Sequence, residues 1–415
     1  MAEFRTIKGT YDLLPDELSN WHRIENIIHS IMEQYGYGEI KTPVFESTEL
    51  FVRGIGNDTD IVNKEMYSWT DQGGNALTLK PELTAPVVRA YLQHQLGNKN
   101  PIQRLWYFDS LFRRERPQKG RQRQFYQFGA EAIGSPHPEQ DAEIIAMAYN
   151  IYKTFDIQEM NVRLNSIGSK EIRLIYLDKL RIYLAKKSNV LCANCQTRIE
   201  KNFLRVFDCK NPECQKLLDE NAPLIFDSIS EDDRKHFDTA CLMLDNMGIP
   251  YFHDKKLVRG LDYYSHTTFE ITSSALGAQD ALCGGGRYNG LIEQLGGKST
   301  PAVGFAAGVE RLILAIDKQE NSVNPPDIYL ISLGEEAAVT ASKLASDLRN
   351  ICGKTVLLET LRRSLKAQMR EAGRCGAMKT IIIGEDELAQ NKVIVKNMAS
   401  GSQQEIPMAD ITRFF

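Results

Sequence analysis

Four stretches of this 415-residue chain carry side chains whose types and spacing could do chemistry. The first, "FRRERPQKGRQRQF", sets five arginines and one lysine against a single acid, Glu115. Such a run suits a phosphate-binding loop as well as it suits a solvated one. The planar guanidinium donates two parallel hydrogen bonds, which matches phosphate geometry. The returning segment places Gln127, Gly129 and Glu131 on one face at period two. A glycine between two polar residues leaves space for a ligand against the backbone, which a merely polar outer face does not explain.

The second stretch, "LVRGLDYYSHTTFEI" (257–271), has the composition of a strand but is interrupted by Arg259 and Asp262. Either these two pair to close a turn, or Arg259 is held at the strand entrance for an anion. The third group is "LCGGGRYNGL" with "PAVGFAAGVERLILAI". The glycines do not form a dinucleotide fingerprint, because Asn289 stands where the last glycine belongs. "GGKST" is no phosphate loop either, since Ile292 occupies the position of its first glycine. Tight backbone packing, against a ligand or another strand, is the better use of these glycines. Ala302 onward reads as a small-residue strand entering a helix, with Arg311 in its first turns; an exposed arginine on a core helix is the alternative.

The fourth group is Cys192, Cys195, Cys209 and Cys214, spaced C-x2-C-x13-C-x4-C. Two thiol pairs can surround a tetrahedral zinc, or remain ordinary reduced thiols. No histidine is close in sequence, so catalysis by them is not expected.

The rest of the chain must position these groups. With 42% hydrophobic and 25% charged residues and a net charge of −4, it is neither disordered nor globally attracted to polyanions. Nucleic acid would have to be met by local basic patches. The N-terminus lacks a signal-peptide core, and no apolar run is long enough to span a membrane. A cytoplasmic protein with reduced cysteines is therefore expected. After Pro15, Trp21, Ile24, Ile27, Ile28, Ile31 and Met32 form one helical stripe stopped by Gly36 and Gly38. "EIKTPVFES", "ALTLK", "LWYFDSLFRRE", "QFYQFGAEAIG", "DYYSHTTFEI" and "ALCGGG" read as strands, the fourth returning on the third as a hairpin. The fold class is α+β with a mostly antiparallel sheet, interrupted by a helical insertion at about 170–250. After the polar linker "KQENSVNPPD", the apolar strands "DIYLISL", "TVLLET" and "TIIIG" alternate with helical runs 335–351 and 364–375, predicting a small α/β domain with a largely parallel sheet.

"IKTPVFE", "FRRERPQKGRQRQFYQFGAEAIG" and "GFAAGVERL", in this order, resemble motifs 1, 2 and 3 of class II aminoacyl-tRNA synthetases. "LVRGLDYYSHTTFE" and "LCGGGRYNGL" are similar to the two peptides peculiar to histidyl-tRNA synthetases. The resemblance implies an antiparallel-sheet class II catalytic domain over 1–320, an anticodon-binding α/β domain over 327–415, and a homodimer. It also implies the substrates: L-histidine, ATP with Mg2+, and tRNA(His). Residue by residue, it implies that Arg113 holds the α-phosphate and that Arg121 and Arg311 hold the far end of ATP, with Glu115 also at the nucleotide. It places Glu82, Thr84 and Gln127 at the amino acid's backbone groups, and Glu131, Tyr264 and Tyr288 at its imidazole. Arg259 becomes the catalytic cation, and Arg116 and Gln118 approach the tRNA acceptor end. The chain departs from the family at Lys80 and Leu83, where bacterial members carry arginine and a small residue; Lys80 keeps the charge but not the fork. A regulatory paralogue without aminoacylation activity, or a synthetase for another amino acid, would be the alternatives. The terminal domain and intact histidine peptides argue against the first, and the pairing of Glu131 with Tyr264 against the second.

Overall fold

The computed structural model describes residues 4–56, 59–118, 120–201, 206–207, 209, 211–276, 280–316 and 325–415. It comprises two compact units, Met1–Glu320 and Asn321–Phe415. Most of the predicted linker, residues 317–324, lies outside the described residues.

The first unit is built on an eight-stranded sheet. In chain order its strands are β1 (Gly38–Glu39), β2 (Gln103–Phe112), β3 (Gln124–Ile133), β4 (Met160–Ser166), β5 (Phe252–His253), β6 (Ser265–Ser273), β7 (Ala281–Arg287) and β8 (Ala302–Gly308). They lie side by side as β1-β2-β3-β8-β7-β6-β4-β5. All pairings are antiparallel except the outermost two, β1 with β2 and β4 with β5.

Alternation on β3 explains how the sheet is used. Phe128, Ala130 and Ala132 face a core formed with the helices Pro15–Gln34 and Pro138–Thr154. The first helix starts with Pro15 at its opening turn and with Glu17 accepting from the Leu14 N–H at 3.1 Å. It ends before Gly36, whose φ of +76° favours glycine. Its Trp21 stacks edge-on against Phe108 and Tyr126. The opposite face of β3 carries Gln127, Gly129 and Glu131.

Three expectations are corrected, and a fourth is met by one of its alternatives. The segment 39–47 is not one strand: Glu39 ends β1, and Phe45–Ser47 joins a separate three-stranded sheet with Ala76–Leu79 and Ser68–Thr70. Pro43 lies in the break, where it has no N–H for a ladder. The strand of the histidine-like peptide begins only at Ser265, leaving Arg259 to Tyr264 in the preceding loop. Two glycines of β7 take the second of their two expected uses, packing against neighbouring strands. A Cβ at Gly285 would meet the Gly304 carbonyl at 2.3 Å, and one at Gly286, with φ +154°, the Thr267 carbonyl at 2.5 Å. Finally, the second unit's sheet is mixed. Val356–Leu358, Ile328–Ser332 and Lys379–Ile383 are parallel, but the hairpin Lys392–Asn397 and Gln403–Pro407 adds two antiparallel strands.

Between β4 and β5 lie the helices Lys170–Ala185, Ala193–Lys201, Pro212–Asn221 and Glu231–Asn246, where the insertion was expected. The end of β7 is locked by a buried ion pair. Arg287 Nε donates to Asp141 Oδ1 and Oδ2 at 2.9 and 2.8 Å, and its Nη atoms donate to the Ser135 and His137 carbonyls. His236 Nε2 lies 3.1 Å from Asp141 Oδ2. Burial alone would raise the Asp141 pKa, but His236 and Arg287 outweigh it and hold the carboxyl below the usual carboxylate range. A depressed pKa stabilises the fold above the unfolded value of about 3.9, and this contribution is lost as pH falls through the folded value. Removing one partner leaves an uncompensated buried charge. Asp141→Ala should therefore lower stability by about 3–5 kcal/mol at neutral pH. It should also shift the acid limb of a denaturant-midpoint series; an unchanged midpoint at pH 7 would contradict this account.

Candidate active site

The inner end of the site is organised around Glu131, which is 1% exposed. Its Oε1 accepts from Thr84 Oγ1 at 2.8 Å and from the Tyr107 hydroxyl at 3.1 Å; Oε2 accepts from the Tyr288 hydroxyl at 2.5 Å. Burial pushes its pKa up to about 8 even though these hydroxyls oppose the shift. A carboxylate has roughly four acceptor positions. Three are filled, which leaves one for an N–H donor.

The glycine reading is revised here. A Cβ at Gly129 would fall 2.2 Å from the Phe305 carbonyl and 2.6 Å from the Tyr107 hydroxyl. Gly129 therefore makes room for Tyr107 to cross to Glu131, not for a ligand. Gly304 serves the same carboxylate, because a Cβ there would lie 1.8 Å from Glu131 Oε2. Tyr107 was missed in the sequence; its register opposite Gly129 is the signal that could have found it. Tyr263 was missed as well. It is buried, with its ring 4.7 Å from that of Tyr264 and 5.8 Å from that of Tyr288. Burial raises the Tyr264 pKa; Arg259 opposes the shift, and Glu131 adds to it.

Glu82 lies at the start of the helix Thr84–Gln93, where its two oxygens accept the Thr84 and Ala85 N–H groups at 2.8 and 2.9 Å. Burial nevertheless leaves its pKa raised, against the lowering by these N–H groups. Leu83 has φ −113° and ψ −19°, which ordinary residues adopt, so it imposes no strain on Glu82. Lys80 is fully buried and donates to Asp109 Oδ2 at 2.5 Å and to the Thr42 carbonyl at 3.2 Å.

Beside this pocket is a cleft of about 300 Å³ lined by Arg113, Glu115, Arg121, Gln127, Arg259 and Arg311, among others. Glu115 lies between two arginines, 3.9 Å from Arg113 Nη1 and 3.2 Å from Arg121 Nη1. Arg113 is anchored by its Nε bond to the Pro81 carbonyl at 2.8 Å and lies over the Phe125 ring. Arg311 donates to the Ala281 carbonyl at 2.7 Å; burial and then Arg121 lower its pKa. Arg116 and Gln118 are exposed on the hairpin loop and do not line the cleft.

Arg259 does not close a turn with Asp262. Its Nη1 donates to Glu270 Oε1 at 3.1 Å, and Glu270 Oε2 in turn accepts from Arg163. Asp262 instead pairs with Arg173. Arg259 lies against Gly284, where a Cβ would fall 2.0 Å from Nη2, and its Nε is buried with no hydrogen-bond partner among the described residues. Burial works against its charge, but the Tyr264 phenol and the Glu270 carboxylate leave the pKa raised.

The four cysteines of the insertion also converge. Their Sγ atoms all lie within 4.8 Å of one another, and those of Cys192 and Cys209 are 3.7 Å apart. Two backbone donors point at sulfur: Cys192 N to Cys214 Sγ at 3.2 Å, and Asn211 N to Cys209 Sγ at 3.4 Å. Part of the intervening turn, Lys210, lies outside the described residues.

Known proteins match this arrangement along the whole chain. The family model for histidyl-tRNA synthetase matches residues 9–312, and that for an anticodon binding domain matches 327–415. The histidine--tRNA ligase of Halothermothrix orenii is 49% identical over 407 residues, 97% of each chain. That of Geobacillus kaustophilus is 45% identical over 419 residues, covering 99% of this chain and 97% of the other. The solved apo histidyl-tRNA synthetase of S. aureus superposes with a TM-score of 0.82 at 36% identity, covering both chains completely. With a glycine-lined carboxylate pocket, an arginine cleft beside it and a matching terminal unit, the chain belongs to the histidyl-tRNA synthetase family.

Proposed function

We propose that this chain activates L-histidine with ATP to histidyl-adenylate and transfers the histidine to the 3' end of tRNA(His). The observation that carries the reading is the buried Glu131 carboxylate, with one acceptor position open, beside Tyr264 and an arginine-lined cleft. A neutral imidazole has one N–H donor and one acceptor nitrogen. Glu131 takes the donor and the Tyr264 phenol serves the acceptor, with Tyr288 holding Glu131 in place. A side chain that cannot answer both leaves buried polar groups unpaired, a mismatch that sites of this kind reject by about 10⁴–10⁵.

Glu82, Thr84 and Gln127 lie on the approach to the histidine ammonium and carboxylate. ATP occupies the cleft, where Arg113 meets the α-phosphate and Arg121 and Arg311 the outer phosphates, with Glu115 also at the nucleotide. Magnesium enters with ATP and neutralises phosphate charge, held mainly by phosphate oxygens as is usual for this ion. Glu115 and Glu270 are the cleft carboxylates of suitable hardness. The histidine carboxylate attacks the α-phosphorus in line while pyrophosphate leaves opposite. The protein aligns two anions and stabilises charge on the non-bridging oxygens. Arg113 comes from the hairpin and Arg259 from the loop before β6, so the two cations clamp the phosphate from different elements. Pyrophosphate exchange into ATP, scanned over the amino acids, should respond to histidine alone. In the same assay Arg259→Ala should slow adenylate formation by about 10²–10³ with little change in substrate binding. Rates within about fivefold of wild type would remove Arg259 from catalysis.

The reading extends to the rest of the chain. Residues 1–320 form the catalytic domain, working as a homodimer in the cytoplasm, with Arg116 and Gln118 at the tRNA acceptor end. Among the described residues no helix is long and apolar enough to cross a membrane. Residues 327–415 bind the anticodon. A chain ending at Asn321 should then activate histidine but charge tRNA poorly; equal charging by both lengths would exclude this role.

A structural zinc on Cys192, Cys195, Cys209 and Cys214 completes the reading. With arms of about 2.3 Å, sulfurs around a tetrahedral zinc are about 3.8 Å apart, close to the 3.7 Å between Cys192 and Cys209. The backbone N–H groups aimed at sulfur favour thiolates. Metal analysis of protein purified without chelator should find about one zinc per chain. Folded, active protein without it would eliminate the site.

A further inference from the structure

The loop between β5 and β6 carries Arg259 and Tyr264, and its other charged residues point away from the cleft. Asp254 is held by Arg163 of β4. The remaining three pair with the insertion: Lys255 with Asp227 at 3.1 Å, Lys256 with Asp219, and Asp262 with Arg173 at 3.2 Å; His266, just inside β6, adds a contact to Asp233 at 2.7 Å. These partners come from four elements of the insertion, Lys170–Ala185, Pro212–Asn221, Ile225–Ser228 and Glu231–Asn246.

The contacts differ in weight. Lys255 and Asp227 are 44% and 57% exposed, where an ion pair contributes little. Arg173 is only 15% exposed. Its Nη1 donates to the backbone carbonyls of Asp262 at 3.0 Å and, more weakly, Tyr264 at 3.5 Å; its Nη2 donates to Asp262 Oδ1. Those carbonyls bracket Tyr263, so one planar fork restrains the peptide units from which both tyrosines project. Asp262 is also fixed from the catalytic side. Its N–H faces the Ile55 carbonyl at 3.3 Å, and its Oδ2 lies against Gly56, where a Cβ would come within 2.6 Å. With φ +102°, Gly56 is suited to that turn. Asp262 is thus gripped between the helix Thr48–Ile55 and the insertion helix Lys170–Ala185.

We propose that Arg173 is a positioning residue for the amino-acid pocket. From the insertion it sets the backbone of Tyr263 and Tyr264, and so tunes how tightly histidine is held without touching it. This rests on the reading of Tyr264 as an imidazole contact. A helix-to-loop staple with no influence on the pocket would lower stability alone. The positioning role instead separates the two substrates, because Tyr264 faces the imidazole and the nucleotide arginines other than Arg259 come from other elements.

The test measures histidine-dependent pyrophosphate exchange, with histidine and ATP varied in turn, in wild type, Arg173→Ala, Arg173→Lys and Lys255→Ala. Arg173→Ala should raise the KM for histidine about tenfold or more, as expected for losing hydrogen bonds from a charged donor. The KM for ATP should stay within about twofold, and Lys255→Ala should resemble wild type. Arg173→Lys keeps the charge but not the fork, so it should give an intermediate KM for histidine. If Arg173→Ala does not fold, the lysine variant decides: a histidine KM within about twofold of wild type overturns the proposal. Equal rises in both KM values, or a lowered Tm with both unchanged, also overturn it. Absence of histidine-dependent exchange in the wild type would instead refute the pocket assignment itself.

Discussion

A buried carboxylate needs donors, and the active-site half of this protein is arranged around that need. Glu131 sits in the middle of the sheet where no water supplies hydrogen bonds, and Thr84, Tyr107 and Tyr288 converge on it. They can do so only because the neighbouring strands lack side chains where the hydroxyl and the carboxylate pass, at Gly129 and Gly304. Glycine weakens a strand interior. Here the cost is offset on the reverse face, where Phe128, Phe269 and Phe305 pack under the helices Pro15–Gln34 and Pro138–Thr154. Each such side chain contributes about 1.5–3 kcal/mol on burial. The core thus stabilises a sheet whose other face is shaped for a ligand.

The same economy of side chains governs the nucleotide side. Arg259 reaches the cleft over Gly284, and Glu270 compensates its charge. Glu270 also binds Arg163, which holds Asp254 at the start of the loop. A chain of charges therefore runs from β4 through β6 to the cleft. The unpaired Nε of Arg259 is a buried donor, and leaving such a group without a partner is costly. A phosphate oxygen would relieve that cost, which turns a structural expense into ligand affinity.

Much of this was legible in the sequence, and the limits were physical. The stripe from Trp21 to Met32, the β2–β3 hairpin and the passage from Ala302 into a helix follow from periodicity and appear as expected. Contacts between distant segments were not legible. Nothing near Tyr107 announces that it reaches Glu131, because the link passes through strand register. Gly129 pointed to empty space correctly, but the sequence could not say that a tyrosine fills it. The pairing of Arg259 with Glu270 was not legible for a related reason: Asp262, the partner in the alternative reading, is near in sequence, whereas Glu270 becomes near only once β6 forms. The terminal hairpin 392–407 was missed because its one apolar run, Val393 to Val395, is short and its return strand is mostly polar.

Lys80, where the chain departs from the family, has a structural use that needs no fork. It follows Leu79 at the end of a strand in the small sheet, yet its ammonium turns inward to Asp109 of β2 and to the Thr42 carbonyl. Asp109 in turn accepts the Ser110 N–H at 2.7 Å. The requirement here is a positive charge that neutralises a carboxylate between two sheets, and a compact ammonium meets it with directional freedom. A bidentate fork matters where an anion must be oriented, and in the proposed function that work falls to Arg113. Arg113 is steered by the Pro81 carbonyl, the residue immediately after Lys80. The lysine therefore sits one residue before the peptide that anchors the arginine, and a planar fork is not called on at its own position.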